Sequence, residues 1–164
     1  MAGAPEVPDK LKKGYKAIGR TYKNHIDGVS LLDYLTGKAE KSPRKMFVYI
    51  SDDGDTLGLR YDNWKVVFME QRCKGTMAIW GEPFTELRVA KLFNLRTDPY
   101  EFADITSNSY WDWYLDRAFI LVPCQDIIGE YLGTLKEFPP AQRAGSFNLE
   151  KVMDTLQFGS TGGA

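Results

Sequence analysis

A chain of 164 residues is long enough to form one domain around one hydrophobic core. Because 43% of its residues are apolar and 13% are aromatic, the composition excludes a disordered protein. The formal net charge of −1 gives no electrostatic reason to expect nucleic acid or an anionic membrane as a partner.

The N-terminal stretch, residues 1–28, is rich in Gly, Pro and Lys and lacks a sustained apolar period. It predicts an irregular arm with one short helix at residues 8–13, which Gly14 ends. A second short helix is predicted at residues 30–35, with Ser30 as its cap and Gly37 at its end.

The next block is rich in β-forming residues. The apolar run Met46–Ile50 predicts a central strand, and further strands are predicted at residues 57–61, 64–69 and 91–95. Tight turns are predicted at Asp52–Asp55 and at Asp62-Asn63, because Gly supplies positive φ and Asp bonds its own backbone. Residues 76–80 predict either a short strand or part of a longer excursion.

The pattern changes to helical after Ser107. Apolar residues recur at helical spacing over seven turns, at Trp111, Tyr114, Leu115, Ala118, Val122, Ile128, Tyr131, Leu132 and Leu135. Pro123 is expected to kink or break this helix. A last short helix is predicted at residues 147–156, capped by Ser146, before a flexible tail at 158–164.

These elements predict an α+β fold, in which a small antiparallel sheet of about four strands packs against a long, kinked C-terminal helix. The second face of the sheet needs a cover, and the irregular arm has too few large apolar residues to provide all of it. Trp111 and Trp113 lie two apart on one helix and cannot both face the core squarely, so Trp113 is a candidate interface residue. Ordinary core and surface positions are the preferred interpretation of these aromatic residues.

The sequence shows neither a candidate membrane span nor a candidate signal peptide. No apolar run approaches the roughly 20 residues that span a bilayer. The N-terminus has no apolar signal-peptide core, which predicts a cytoplasmic chain as written and leaves open the compartment of a longer parent, including the periplasm.

Residues with metal-binding or nucleophilic chemistry are scarce. Cys73 and Cys124 have no CxxC or zinc spacing and are predicted to be free, partly buried thiols rather than a disulfide. His25 is the only histidine, which leaves no His pair for a metal and weakens any catalytic triad.

The acidic residues Asp52, Asp53 and Asp55 resemble the start of a calcium loop, but the later ligands are missing. A hairpin turn is therefore the preferred interpretation, as it is for Asp62-Asn63.

A short helix and a polar linker with Ser42-Pro43-Arg44 precede a strand, the Gly54-Asp55 turn follows, and the next strand leads into the motif at residues 60–65. Motifs in this order resemble the C-terminal region of bacterial arylsulfatases. Residues 91–101 look like the strand and turn that sulfatases carry before their final helix, and Phe138-Pro139-Pro140 with Ser146-Phe147 matches the family's tail. The resemblance covers residues 3–156.

The resemblance implies that the chemistry lies elsewhere. Sulfatases use a formylglycine made in a Cys/Ser-x-Pro-x-Arg motif, together with calcium, and both belong to a large N-terminal domain. Here Ser42-Pro43-Arg44 has the wrong spacing, so no catalytic, cofactor-binding or metal residue carries over. The residues around Gly3 resemble the end of a family helix cut within the element, which suggests a fragment.

The expected organisation is an irregular arm at 1–28, a sulfatase-like C-terminal subdomain at 29–157 and a tail at 158–164. The expected function is that of an arylsulfatase C-terminal fragment, inactive alone, with the missing N-terminal domain as partner and Asp52, Asp53 and Asp55 on the substrate rim. The alternative is an independent binding or oligomerisation module that self-associates through the exposed interdomain face. An autonomous hydrolase is the weakest of the three hypotheses.

Overall fold

The computed structural model describes residues 4–139. A four-stranded antiparallel sheet is covered on one face by helices, and the predicted α+β class is confirmed. The described residues end before the predicted helix at 147–156 and the tail at 158–164, so both stay predictions.

The N-terminal arm is more regular than predicted. Helix α1 spans Val7–Lys13 and ends at Gly14, whose φ of 95° suits glycine, as expected. A two-stranded hairpin, β1 (Tyr15–Ala17) with β2 (Arg20–Tyr22), follows and corrects the prediction of an irregular segment. Its strands of three residues are too short to show an alternating pattern.

The linker that follows contains one short helix. Helix α2 spans Leu32–Leu35, and Ser30 Oγ lies 3.5 Å from the Leu32 N–H, although Leu31 occupies the cap position itself. Gly37, with φ 74°, closes the helix as predicted.

The sheet is an antiparallel meander in the order β3-β4-β5-β6. Its strands are β3 (Met46–Ile50), β4 (Thr56–Tyr61), β5 (Trp64–Glu70) and β6 (Thr85–Asn94). One row across all four strands faces the helices and supplies the centre of the core: Val48, Leu59, Val66 and Leu92. The predicted meander is thereby confirmed.

Two details of the sheet differ from the predictions. β3 lies at the edge rather than the centre, and Met46, Phe47 and Ile50 are each more than 40% exposed. β6 begins six residues earlier than predicted, because a bulge in the β5–β6 pairing lets the strand continue. Of the two alternatives for residues 76–80, the short strand is wrong and the longer excursion agrees with the structure. Helix α3 (Ala78–Gly81) forms there, after Thr76 adopts a φ of 68°.

The C-terminal helical layer is broken earlier than Pro123. After helix α4 (Ala103–Thr106), helix α5 spans Tyr110–Leu115, a 3₁₀ turn covers Ala118–Ile120, and helix α6 spans Leu121–Glu137. Pro123 lies in the first turn of α6, where its missing N–H costs no helical hydrogen bond.

The break changes which residues face the sheet. Core contacts come from Tyr110, Tyr114, Ile120 and Cys124, whereas Leu115 and Val122 of the predicted apolar face point outwards. The arm contacts the far end of α6, where the rings of His25 and Phe138 lie 6.0 Å apart.

Candidate functional site

The acidic turn between β3 and β4 is closed by its own hydrogen bonds. Ser51 Oγ accepts hydrogen bonds from the Asp53 N–H at 3.2 Å and the Asp55 N–H at 2.9 Å, and it donates to Asp55 Oδ2 at 3.1 Å. Gly54 supplies the positive φ of 91°. Asp52 and Asp55 are exposed and Asp53 is half-buried. The preferred interpretation as a hairpin turn therefore agrees with the geometry.

The residues present do not fit the calcium and formylglycine centre that the resemblance assigns to sulfatases. Within residues 4–139, no three side chains of His, Cys, Asp or Glu converge on a point that could hold a metal ion. Ser42-Pro43-Arg44 lacks the spacing of the formylglycine motif. No step of ester hydrolysis can be derived from these side chains.

Both cysteines are free thiols, as predicted. Cys124 is packed in the core, and burial raises the pKa of its thiol, which keeps it protonated and unreactive. The Cys73 thiol lies 3.7 Å from the Gly75 carbonyl oxygen. The His25 ring forms a hydrogen bond with the side chain of Asp27, with 3.0 Å between Nδ1 and Oδ1.

A groove of about 1130 Å³ runs between the α2 linker and the open edge of the sheet. Five cationic side chains line it: Lys41, Arg44, Lys45, Arg60 and Arg96. Glu40 and Asp62 are the two carboxylates of its lining, so five positive charges against two negative ones leave a surplus of three. We call this feature the basic groove.

The cations of the basic groove are available to a ligand. None of the five forms an ion pair with a carboxylate of the described residues. Arg60 Nε makes only a 3.3 Å hydrogen bond to the backbone oxygen of Asp62. Unpaired guanidinium and ammonium groups keep their full capacity to donate hydrogen bonds to an anion.

Aromatic rings form part of the same lining. Phe47 and Tyr49 pack edge to face with ring centres 4.9 Å apart, and the Arg44 guanidinium lies 6.0 Å from the Phe47 ring centre. Arg60 is the cross-strand partner of Phe47. β3 thus brings rings and cations together on its exposed side.

The acidic turn is close to the basic groove but is not part of its lining. The turn begins at Ser51, two residues after Tyr49, which lines the groove. Arg60, the groove cation of this hairpin, lies opposite Phe47, which is about 13 Å along the strand from Ser51. None of Asp52, Asp53 and Asp55 lines the groove.

The basic groove was not predicted from the sequence. Its local signal is the basic run at Lys41, Arg44 and Lys45, which is visible in the sequence. Arg60 and Arg96 join that run only through strand pairing and the turn after β6, so their contribution depends on the tertiary structure.

A charged cluster under α4 is structural in character. Lys91 Nζ lies 2.6 Å from Glu70 Oε2 and 2.7 Å from Asp104 Oδ2. The hydrogen bond from Lys91 lowers the pKa of Glu70 by more than burial raises it, so the net pKa is lowered. Burial opposes the charge of Lys91, but its hydrogen bonds to both carboxylates raise its pKa. Lys91 is held between its two carboxylate partners, whereas the second oxygen of Asp104, Oδ1, is buried without a hydrogen-bond partner among the described residues.

An apolar stripe runs along the outer side of the helical layer. Its four members are Trp111, Leu115, Phe119 and Val122, whose exposed fractions lie between 59% and 70%. Trp113, the predicted interface residue, instead packs against Trp64 with ring centres 5.9 Å apart. The exposed tryptophan of α5 is Trp111, which corrects that prediction.

No helix within residues 4–139 is both long and apolar enough to cross a lipid bilayer. No protein-family model and no curated protein matches the chain. The structure is similar to the crystal structure of the PsFucS1 sulfatase from Pseudoalteromonas sp., with a TM-score of 0.50 and 23% sequence identity. The match covers 74% of this chain and 22% of that chain, so the chain spans about a fifth of the sulfatase. At this identity the similarity shows that the chain shares its fold with one part of a sulfatase.

Proposed function

We propose that the chain is the C-terminal subdomain of an arylsulfatase, a sulfuric ester hydrolase, and contributes structure and substrate contacts rather than chemistry. The supporting observation is the shared fold with part of a sulfatase, over 74% of the chain. The ordered motifs at residues 32–65 and 91–101 point to the same family. Reading the DNA upstream of Met1 tests the proposal. A continuous reading frame with a Cys/Ser-x-Pro-x-Arg motif supports it, and an unrelated upstream frame with a stop codon directly before Met1 contradicts it.

The chain alone is proposed to be inactive. Its cysteines lie in sequences without the x-Pro-x-Arg continuation, and Cys124 is buried. In the parent, calcium and formylglycine would be supplied by the catalytic domain. Purified full-length chain should not hydrolyse an aryl sulfate, with or without added calcium. Turnover above that of a heat-inactivated sample would end this proposal.

The proposed partner is the N-terminal catalytic domain. The apolar stripe at Trp111, Leu115, Phe119 and Val122 provides apolar surface that no described residue covers. Surfaces of this kind in one chain are buried in contacts between domains. A charged substitution at Leu115 in a full-length parent should lower the yield of folded enzyme, whereas Asp112→Asn on the same helix should not.

The acidic turn is proposed as part of the substrate rim. Asp52 and Asp55 are exposed, and their oxygens can accept hydrogen bonds from the hydroxyl groups of a substrate. Replacing Asp52, Asp53 and Asp55 by Asn in a full-length parent should change KM. The charge-matched control replaces the exposed Asp112, Asp116 and Asp126 by Asn. Unchanged KM and kcat in the rim variant would refute the rim role.

A second candidate function is an independent binding or oligomerisation module. The same apolar stripe favours it, because one copy can cover the stripe of another. Light scattering over a concentration series tests this candidate. Self-association that Leu115→Asp with Phe119→Asp abolishes supports the module, and a strict monomer at the highest concentration contradicts it.

A further inference from the structure

We infer that the basic groove binds a sugar chain that carries sulfate or carboxylate groups. This inference goes beyond the proposed function, because none of the Asp residues of the proposed rim turn lines the groove and binding needs no catalytic domain. The lining combines five cations that form no ion pair with the described residues with the rings of Tyr34, Phe47, Tyr49 and Tyr61.

The charges of the groove select an anion. Arg44, Arg60 and Arg96 carry guanidinium groups, whose planar donor fork matches the two oxygens of a carboxylate or a sulfate ester. The chain as a whole has a net charge of −1, so the attraction is local to this groove.

The remaining groups of the lining favour a sugar over a nucleic acid. Glu40 and Asp62 can accept hydrogen bonds from hydroxyl groups, and they would repel a backbone with a charge on every unit. Asn63 and Ser42 add neutral donors and acceptors. The chain also lacks the strongly basic balance that is typical of nucleic-acid-binding domains.

The aromatic residues and the size of the groove fit the same ligand. The exposed ring of Phe47 offers an apolar surface to the C–H face of a sugar ring, and the perpendicular Tyr49 fixes its orientation. The volume of about 1130 Å³ reaches the upper range of small-ligand sites, which leaves space for more than one sugar unit. The open side of the groove allows a chain to extend beyond it.

Binding of dextran oligosaccharides to the full-length chain tests the inference without any turnover. Lightly sulfated dextran, carboxymethyl dextran and unmodified dextran share one backbone and differ in the charged group, and a single-stranded oligonucleotide serves as a second polyanion. We expect binding of one or both charged dextrans by calorimetry, no binding of unmodified dextran, and weaker binding of the oligonucleotide. The two charged arms decide whether sulfate or carboxylate is preferred.

The groove variant combines Arg44→Gln, Arg60→Gln and Arg96→Gln and should weaken binding of the preferred dextran by about tenfold or more. The matched control combines Arg20→Gln, Lys74→Gln and Arg88→Gln, which removes the same charge from exposed sites outside the groove. We expect the control to stay within about twofold of the wild type. Circular dichroism establishes that both variants are folded, and Phe47→Ala repeats the test without a change of charge.

The inference is overturned if neither charged dextran binds, if the control loses as much affinity as the groove variant, or if the oligonucleotide binds more tightly than both dextrans. It is also overturned if the folded groove variant retains wild-type affinity.

Discussion

The hydroxyl group of Tyr110 makes two hydrogen bonds to a single residue, Leu92. It accepts a hydrogen bond from the Leu92 N–H at 3.0 Å and donates one to the Leu92 carbonyl oxygen at 3.1 Å. Leu92 lies in β6, the last strand of the sheet, and both residues are buried. No strand of the described residues pairs with the outer edge of β6. The Tyr110 side chain therefore supplies the hydrogen bonds that the N–H and carbonyl groups of Leu92 would otherwise lack.

Tyr110→Phe should destabilise the fold more than the loss of one hydroxyl group suggests. The substitution leaves the N–H and the carbonyl group of Leu92 buried without partners, and we expect a loss of about 2–4 kcal/mol. Urea unfolding of the full-length chain measures the difference. Tyr100→Phe is the control, because Tyr100 is 79% exposed and forms no described hydrogen bond through its hydroxyl group. Equal stability of the two variants would contradict the double role of Tyr110.

The buried tyrosines predict a loss of stability in alkaline solution. Burial raises the pKa of Tyr110, Tyr114 and Tyr131 above the ordinary value of 10.0. Their neutral forms therefore stabilise the fold fully below the pKa of the unfolded chain, and this contribution is lost as the pH rises through the folded values. We expect the free energy of unfolding to fall above about pH 10, with a shallower fall in Tyr110→Phe. If the free energy of unfolding falls with the same slope in Tyr110→Phe, ionisation of Tyr110 does not contribute to the loss of stability.

Lys91→Met should be destabilising although it replaces a charge by an apolar group. It leaves the carboxylate of Asp104, whose side chain is only 10% exposed, without its cation, and it leaves Glu70 with Arg72 alone, at 3.4 Å. We expect a loss of about 2–3 kcal/mol at neutral pH, because the cluster is partly open to water. The double variant Lys91→Met with Asp104→Leu should recover part of it. Lys74→Met, at an exposed site, is the control.

The pH dependence of the Lys91 effect follows from the two shifted pKa values. The pKa of Glu70 is lowered, so its contribution is present above about pH 4.5 and is lost as the pH falls through the folded value. The pKa of Lys91 is raised, so its contribution is present at neutral pH and is lost only in strong base. The difference between wild type and Lys91→Met should therefore shrink below about pH 4. A difference that is constant down to pH values of about 3 would contradict the ion pair as its cause.

Local chemistry made much of the sheet predictable. The Asp62-Asn63 turn is held with Asp62 at a φ of 51°, a conformation that Asp tolerates, and the two flanking strands begin and end close to their predicted bounds. The β3–β4 connection was predictable for the same reason, since Gly54 and the Asp residues around it favour a turn. In both places the deciding interactions lie within a few residues in the sequence.

The features that were missed depend on distant contacts. The apolar run of β3 predicts burial on both faces, but whether a strand has a second neighbour is a tertiary property. The periodic pattern assumes one unbroken helix and on that basis places Leu115 and Val122 in the core and Trp113 at the surface. The break after Leu115 rotates the apolar face, so these three assignments do not hold. The basic groove needs Arg60 and Arg96 beside the linker, which no local pattern reveals.

Gly58 is required by the close approach of two strands. A Cβ atom at this position would lie 2.6 Å from the carbonyl oxygen of Val66 in the neighbouring strand, and backbone cannot move aside as a side chain can. Gly58→Ala should therefore lower the free energy of unfolding by about 1–3 kcal/mol. Urea unfolding is the measurement, and stability equal to that of the wild type would show that the strands separate without cost.

Two glycines of helix α6 should behave in the opposite way. Gly129 and Gly133 lie within the helix, are exposed, and have no atom of residues 4–139 within 4 Å of an added Cβ. Alanine at either position fits the helical backbone and reduces the conformational freedom of the unfolded chain, so each substitution should raise the free energy of unfolding by about 0.5–1 kcal/mol. Urea unfolding of each variant and of the pair measures this gain. Because the same Gly→Ala change is expected to lower stability at Gly58, a loss of stability at Gly129 or Gly133 would indicate that the outer face of α6 is closely packed in solution, against a second copy of the chain or another partner.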